Sequence, residues 1–285
     1  MGIMTAIKAN KALRLQKNGN SQEAMKLYEE AFAEGLNDPR YILPYALLMI
    51  RDGQYSKAKA FLVKNQKAPG MAGSQRTEML VYYATCCLRL GDADKGINTL
   101  EQQYRKTETG LLYQTLGYLY VEKYDQANRP DFTAAETETA ETGSAETGAE
   151  EDSAEPLKET EKAEPEMTPE QAWNAGIEKA EEFIRKSLEY DDEDPICLDN
   201  MAQFIYRVRG DRGAAKEWFE KALAIKDTQI DTLYFLSRYD LEAGDRKAAL
   251  EKLEKAAEGR FSPLNYCDRE TVLREIEKLK GAQEE

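Results

Sequence analysis

A glycine followed five positions later by a small residue recurs along this chain, with polar residues between the two. Glycine readily adopts the left-handed backbone conformation that ends a helix, and a small residue lets the next helix pack closely. The copies start at Gly19, Gly53, Gly91, Gly210 and Gly244. The first two copies are 34 residues apart, as are the last two, and this spacing is the period of a two-helix repeat.

The residues on both sides of these loops follow a helical spacing. Downstream, four segments carry a small, a larger apolar and again a small residue on one helix face. They are Ala24, Tyr28, Ala31; Ala180, Ile184, Ser187; Ala215, Phe219, Ala222; and Ala249, Leu253, Ala256. Upstream, an apolar residue precedes a small one at Tyr45-Ala46, Tyr83-Ala84, Leu116-Gly117 and Met201-Ala202. Both flanks predict pairs of closely packed antiparallel helices.

With these loops and flanks, the chain resembles the tetratricopeptide-repeat (TPR) family over nearly all of its length outside an acidic central segment. The resemblance implies an all-α fold, a right-handed α-solenoid of about six helix-turn-helix repeats with a disordered acidic insertion. The helix pairs are expected at about 4–38, 39–71, 75–107, 109–194, 195–227 and 229–260. A capping helix with Asp268 as its N-cap should follow and cover the last apolar face.

The acidic segment interrupts the fourth pair. Residues 131–170 contain fourteen acids and two lysines, so they carry −12 of the total charge of −14. We expect four parts: repeats 1–3 and the first helix of repeat 4 (1–128), a disordered insertion (129–168), the second helix of repeat 4 with repeats 5–6 (169–267), and the capping helix and tail (268–285). The sequence leaves four roles open for the insertion: a tether, an acidic segment that attracts a basic partner, a phosphorylation target, or a solvating loop. The sequence also leaves open whether its flanking helices pair into one solenoid or cap two halves.

Catalytic and metal-binding motifs are missing from the sequence. It contains no histidine, and its four cysteines have no paired spacing typical of zinc sites. The glycine-containing segment 70–77 lacks the glycine–lysine end of a phosphate loop, and the acidic run 191–194 lacks the glycine turn of an EF-hand. We therefore predict a non-enzymatic protein without a metal or a cofactor.

The distribution of charge and apolar residues suggests where the protein works. Outside the acidic segment the chain is nearly neutral, so no basic surface for nucleic acid is expected. Its longest apolar stretch, 41–50, is too short to cross a bilayer. The expectation is a cytoplasmic protein with reduced thiols, no membrane insertion and an oligomeric state that the sequence leaves open.

The partner-binding groove is expected on the first helix of each pair, which lines the concave side of such solenoids. The predicted groove residues are Leu43, Leu47, Ile50, Val81, Leu88, Gln114, Tyr118, Gln203, Tyr206, Arg207, Tyr234 and Arg238. Its N-terminal part is apolar and its later part is rich in tyrosine and arginine, which are frequent at interface hot spots. An alternative is that the apolar members pack between helices, since a one-residue change in helix phase exchanges the two roles.

These features predict a non-catalytic scaffold or adaptor that binds a partner protein or peptide in the concave groove. The alternative is a regulatory sensor module that binds a peptide or a small ligand and acts on a separate effector protein. The sequence does not identify the partner.

Overall fold

The computed structural model describes residues 2–132 and 167–281, and this part of the chain forms thirteen α-helices and no strand. The helices are α1 (Ile3–Lys17), α2 (Ser21–Ala33), α3 (Pro39–Arg51), α4 (Tyr55–Asn65), α5 (Gly73–Arg89), α6 (Ala93–Tyr104), α7 (Gly110–Lys123), α8 (Pro169–Tyr190), α9 (Pro195–Gln203), α10 (Arg212–Ile225), α11 (Ile230–Glu242), α12 (Arg246–Ala257) and α13 (Arg269–Gly281). Each odd-numbered helix from α1 to α7, and then α9 and α11, is the first helix of a repeat. The all-α repeat fold expected from the sequence is confirmed.

The repeated glycines end the first helices as expected. All five have a positive φ between 72° and 84°, a conformation that residues with a β-carbon rarely adopt. At Gly91 the turn is closed by a hydrogen bond from the Asp92 N–H to the Cys87 carbonyl (2.9 Å). The chain therefore reverses direction in a few residues, and the second helix packs against the first.

Small residues lie where the paired helices approach each other most closely. The alanines that follow the glycine turns are fully buried at Ala24, Ala58, Ala215 and Ala249. Gly96 takes this place in the third repeat, where a β-carbon would lie 2.9 Å from the Ala84 carbonyl oxygen. The variation from alanine to glycine thus has a steric cause, since α5 and α6 approach too closely for a methyl group.

Helices α7 and α8, which flank the acidic segment in sequence, pack directly against each other. The Tyr120 and Phe183 rings stack at 5.7 Å, and Ile184 fills the space above Gly117. The fourth repeat is thus a helix pair like the others, and the solenoid is continuous across it. Residues 133–166, which contain most of the predicted disordered insertion, lie outside the described residues.

Gly176 on α8 lies against the Tyr124 ring, and its replacement by alanine tests the α7–α8 pairing. A β-carbon at this position would lie 1.9 Å from the Tyr124 Cζ atom. The ring cannot move freely, because the Trp173 ring packs edge-on against it at 4.8 Å. We expect Gly176→Ala to lower the free energy of unfolding by about 1–3 kcal/mol, measured by urea denaturation.

The control is Gly213→Ala on α10, where the added β-carbon would meet only an Asp211 carboxylate oxygen at 3.5 Å. This variant should be neutral or up to about 1 kcal/mol more stable, because alanine favours helix. Equal stability of the two variants would contradict the close α7–α8 packing.

The N-terminal ends of α8 and α13 are set by capping side chains, of which the sequence analysis predicted the second. The Thr168 hydroxyl accepts from the Gln171 N–H (3.2 Å), and the Gln171 side chain accepts from the Thr168 N–H (2.9 Å). Asp268 accepts from the Thr271 N–H (2.8 Å), which confirms it as the N-cap of the closing helix.

Among the described residues, no helix has the length and apolar content needed to span a membrane.

Candidate functional site

The connection between α12 and α13, residues 258–268, lies on the inner face formed by the first helices. We call it the connecting segment. Leu264 packs against the apolar cluster of the central repeats, while Phe261 and Tyr266 pack against that of the last repeats. The segment thus lies across the C-terminal part of the surface expected to bind a partner.

Arg89, at the C-terminal end of α5, holds the backbone of the connecting segment. Its Nε and Nη2 atoms donate to the Pro263 carbonyl at 2.9 and 2.8 Å, and Nη2 also donates to the Asn265 carbonyl at 2.6 Å. The Tyr118 hydroxyl donates to the same Asn265 carbonyl at 3.3 Å. Two helices of the inner layer therefore bind main-chain oxygens, as they would in a bound peptide.

Asp231 on α11 accepts hydrogen bonds from the same connecting segment. Its Oδ2 atom accepts from the Tyr266 N–H and from the Asn265 side-chain amide, both at 3.0 Å. Its Oδ1 atom is buried without a hydrogen-bond partner among the described residues. The Tyr266 ring packs on Phe235 at 4.9 Å and lies under the Arg207 guanidinium at 4.3 Å.

Arg207 forms a charged centre against the face of the Tyr266 ring. It lies in a π-helical turn, Phe204–Val208, that continues α9, and only 7% of it is exposed. Its Nη1 atom is 2.5 Å from a Glu122 oxygen and its Nε atom is 2.7 Å from an Asp125 oxygen. Burial alone would lower the pKa of Arg207, but the two carboxylates raise it above its ordinary value. The guanidinium therefore stays charged while it connects α9 to the end of α7.

Two buried aspartates lie close to each other beside this network. Asp199 accepts from the Thr232 hydroxyl (2.5 Å) and from the Gln203 amide (2.6 Å). Burial raises the pKa of the Asp199 carboxyl to about 6 and that of Asp231 to about 7, and the charge of Asp199 adds to the effect at Asp231. Both carboxyls are therefore protonated more easily than an exposed aspartate. Both border a cavity of about 440 Å³ between the inner helices and the connecting segment.

A second concave region lies on the first helices of repeats 1–3 and has a volume of about 570 Å³. We call it the N-terminal groove. Its walls combine apolar with polar and charged side chains in about equal number. Its lining residues are Leu13, Gln16, Lys17, Pro39, Arg40, Leu43, Pro44, Leu47, Arg51, Gln75, Glu78, Tyr82 and Arg260. Only Arg260 of the connecting segment reaches it.

The predicted groove residues lie in several different parts of the structure. Tyr118, Arg207 and Tyr234 meet the connecting segment, and Gln114 borders the cavity beside the aspartates. Leu43 and Leu47 line the N-terminal groove, while Ile50 borders a recess next to residues 261–271. Tyr206 and Arg238 share a small recess with Tyr266. The remaining members lie in the core or next to it, and they are Val81, Leu88 and Gln203.

Leu43 and Leu47 differ in burial, and helical periodicity alone did not predict which of them is buried. Leu43 is only 6% exposed and belongs to the apolar core of the first repeats, although its edge borders the groove. Leu47 is half-buried and lies outside that core cluster. Leu47 is therefore the better position at which to test binding without disturbing the fold.

The sequence interpretation missed Arg89, Asp199, Asp231 and the whole connecting segment. Residues 261–266 contain Phe261, Pro263, Leu264 and Tyr266, an apolar and aromatic content that is unusual for a solvated loop. That content was the signal that could have found the segment. The contacts themselves join residues far apart in sequence, so no local pattern predicts them.

Comparison with known proteins agrees with this repeat fold. The family model for anaphase-promoting complex (cyclosome) subunit 3 matches residues 17–103. No protein among those with curated descriptions matches the sequence significantly. A TPR protein of Thermus thermophilus is similar in structure with a TM-score of 0.58 and 15% identity, and the match covers 85% of this chain and 99% of that one.

Two further structures share the fold. The type IV pilus biogenesis factor PilW has a TM-score of 0.54 and 14% identity, with 96% of this chain and 100% of that chain covered. A chain of the APC/C hetero-tetramer Cut9–Hcn1 has the same TM-score and identity, with 95% and 42% covered, so this chain spans less than half of it.

The paired helices, the glycine turns and the continuous inner layer define a helical-repeat solenoid. Together with the repeat period and these matches, they give the chain the tetratricopeptide-repeat fold. Proteins with this fold generally bind other proteins on an extended concave surface.

Proposed function

We propose that this chain is a non-catalytic interaction scaffold whose N-terminal groove binds an extended segment of a partner protein. The supporting observation is that the C-terminal part of the same inner face already holds a polypeptide segment through main-chain contacts. Arg89 binds two carbonyls and Asp231 binds one N–H of the connecting segment. The inner face thus has the chemistry of a peptide-binding surface.

The N-terminal groove is the part of the inner face at which a partner segment has direct access. The connecting segment covers Tyr118 and Arg207, so a partner that crossed these residues would have to displace it. The groove on repeats 1–3 offers apolar walls at Leu13, Pro39 and Leu47, together with polar side chains at its edges. Apolar contact with polar groups around it is typical of peptide-binding sites.

We expect Leu47→Glu to reduce capture of the partner from a cell lysate by about tenfold or more, because a carboxylate would be buried against the partner's apolar residues. The bait is the full chain, and the captured proteins are quantified by mass spectrometry. The matched control is Val63→Glu on α4, a second helix, where the side chain is 47% exposed and outside the groove. Urea denaturation should show that both variants are as stable as the unchanged protein.

Two results would count against the proposal. If Leu47→Glu unfolds at markedly lower urea, Leu47 belongs to the core. If every partner is captured equally by both variants, the N-terminal groove is not the binding site. Reproducible enrichment of a small molecule in place of a protein would favour the sensor function.

A further inference from the structure

The N-terminal groove has the opposite charge from the chain as a whole. Four cationic side chains line it (Lys17, Arg40, Arg51 and Arg260), and Glu78 is the one acidic residue among the lining residues. The complete chain carries a net charge of −14. A concave basic region on an acidic protein concentrates anionic groups at one place on its surface.

Two of these charges are already engaged inside the protein. The Arg40 guanidinium pairs with Asp38, with its Nη2 atom 2.7 Å from the carboxylate. Glu78 accepts a hydrogen bond from the Tyr82 hydroxyl at 2.7 Å, and within the described residues it forms no ion pair with the groove cations. The charge available to a ligand therefore comes from the other arginines and from Lys17.

Arg51 and Arg260 face the same groove from α3 and from the connecting segment. Neither guanidinium has a carboxylate within ion-pair distance or a hydrogen-bond acceptor in the described parts of the chain. Burial, and then the charge of Arg260, lower the pKa of Arg51 below its ordinary value. An anion between the two would relieve their repulsion and accept hydrogen bonds from both.

We infer that the N-terminal groove selects partner segments that combine acidic with apolar side chains, and that Arg51 and Arg260 bind the carboxylates. This inference rests on the proposed function and names the class of partner. The apolar walls at Leu13, Leu43 and Leu47 require an amphipathic ligand, which favours an acidic peptide over a nucleic acid backbone.

The test measures binding of a short fluorescein-labelled peptide of alternating leucine and glutamate pairs to the full chain, by fluorescence anisotropy. Arg51→Glu and Arg260→Glu should each weaken binding by about fivefold to tenfold at low salt. The control Arg105→Glu changes an exposed arginine at the end of α6, outside the groove lining, and should leave the affinity unchanged. Binding of the unchanged protein should weaken as salt is added.

Three results would overturn the inference: equal affinity of the groove variants and the control, equal binding of a peptide with lysine in place of glutamate, or tighter binding of a single-stranded oligonucleotide. The outcome is separate from that of the proposed function. If Leu47→Glu abolishes capture of a partner while Arg51→Glu and Arg260→Glu do not, the groove binds a partner that is not acidic.

Discussion

Replacing Arg207 with methionine is expected to lower the free energy of unfolding by about 3–5 kcal/mol. The change leaves Glu122 and Asp125 largely buried, with side chains 15% and 16% exposed, and without their cation. It also removes the guanidinium that packs on the Tyr266 ring. The measurement is urea denaturation followed by circular dichroism at neutral pH.

The control is Arg209→Met, two residues further on. Arg209 also pairs with a carboxylate, that of Glu181 at 2.5 Å, but its side chain is 46% exposed. Its loss should cost less than about 1 kcal/mol because water solvates the remaining charge. Adding Glu122→Gln and Asp125→Asn to Arg207→Met should restore part of the lost stability. A cost at Arg207 as small as that at Arg209 would show that the buried network contributes little.

The second large effect is on pH dependence: the protein should be less stable near pH 8 than near pH 5. The pKa values of Asp199 and Asp231 are raised to about 6 and about 7, from an ordinary value of 3.8. Between these values the folded protein binds more protons than the unfolded chain, so the free energy of unfolding falls as pH rises. The expected change is on the order of a few kcal/mol over this range, because the two carboxyls interact.

Three neighbouring groups with shifted pKa values do not titrate within this window. Burial raises the pKa of Tyr118 and of Cys267, so both stay neutral. Hydrogen bonds from Thr271 lower the pKa of Asp268, so its contribution to stability is lost only as pH falls below the window. The slope between pH 5 and pH 8 therefore reports mainly on the two aspartates.

Asp231→Asn should flatten that slope while the hydrogen bonds from Asn265 and Tyr266 to its side-chain oxygen are retained. Asp227→Asn is the matched control, since the Asp227 side chain is 73% exposed and pairs with Lys255 at the surface. Thermal unfolding across the pH series measures both variants. An unchanged slope in Asp231→Asn would mean that this carboxyl is ionised throughout the range.

Local sequence signals predicted the framework of the fold with few errors. The positive φ of Gly53 and Gly210, the full burial of Ala24 and Ala215, and the cap at Asp268 each depend on residues a few positions apart. Such features follow from backbone sterics and helical spacing, which are the same in every copy of the repeat. This is why the helix pairs could be placed from the sequence.

The inner surface was harder to predict because a small rotation of a helix exchanges core and groove. Leu43 and Leu47 are one turn apart on α3, and both fit the apolar stripe, yet only Leu43 belongs to the core. Asp231 follows Ile230 in a helix whose polar residues look solvated in the sequence, but it is 3% exposed. Its burial depends on the connecting segment above it.

The sequence by itself determined the repeat period, the glycine turns, the small-residue contacts and the absence of histidine chemistry. The tertiary structure alone decided that α7 and α8 pair across the acidic segment, and that the connecting segment lies on the inner face. Arg89 and Pro263 are separated by 174 positions, and their hydrogen bonds require that the solenoid bring the third repeat and the connecting segment together. Periodicity describes one repeat and its neighbour, whereas contacts across the concave face depend on the curvature that all the repeats produce together.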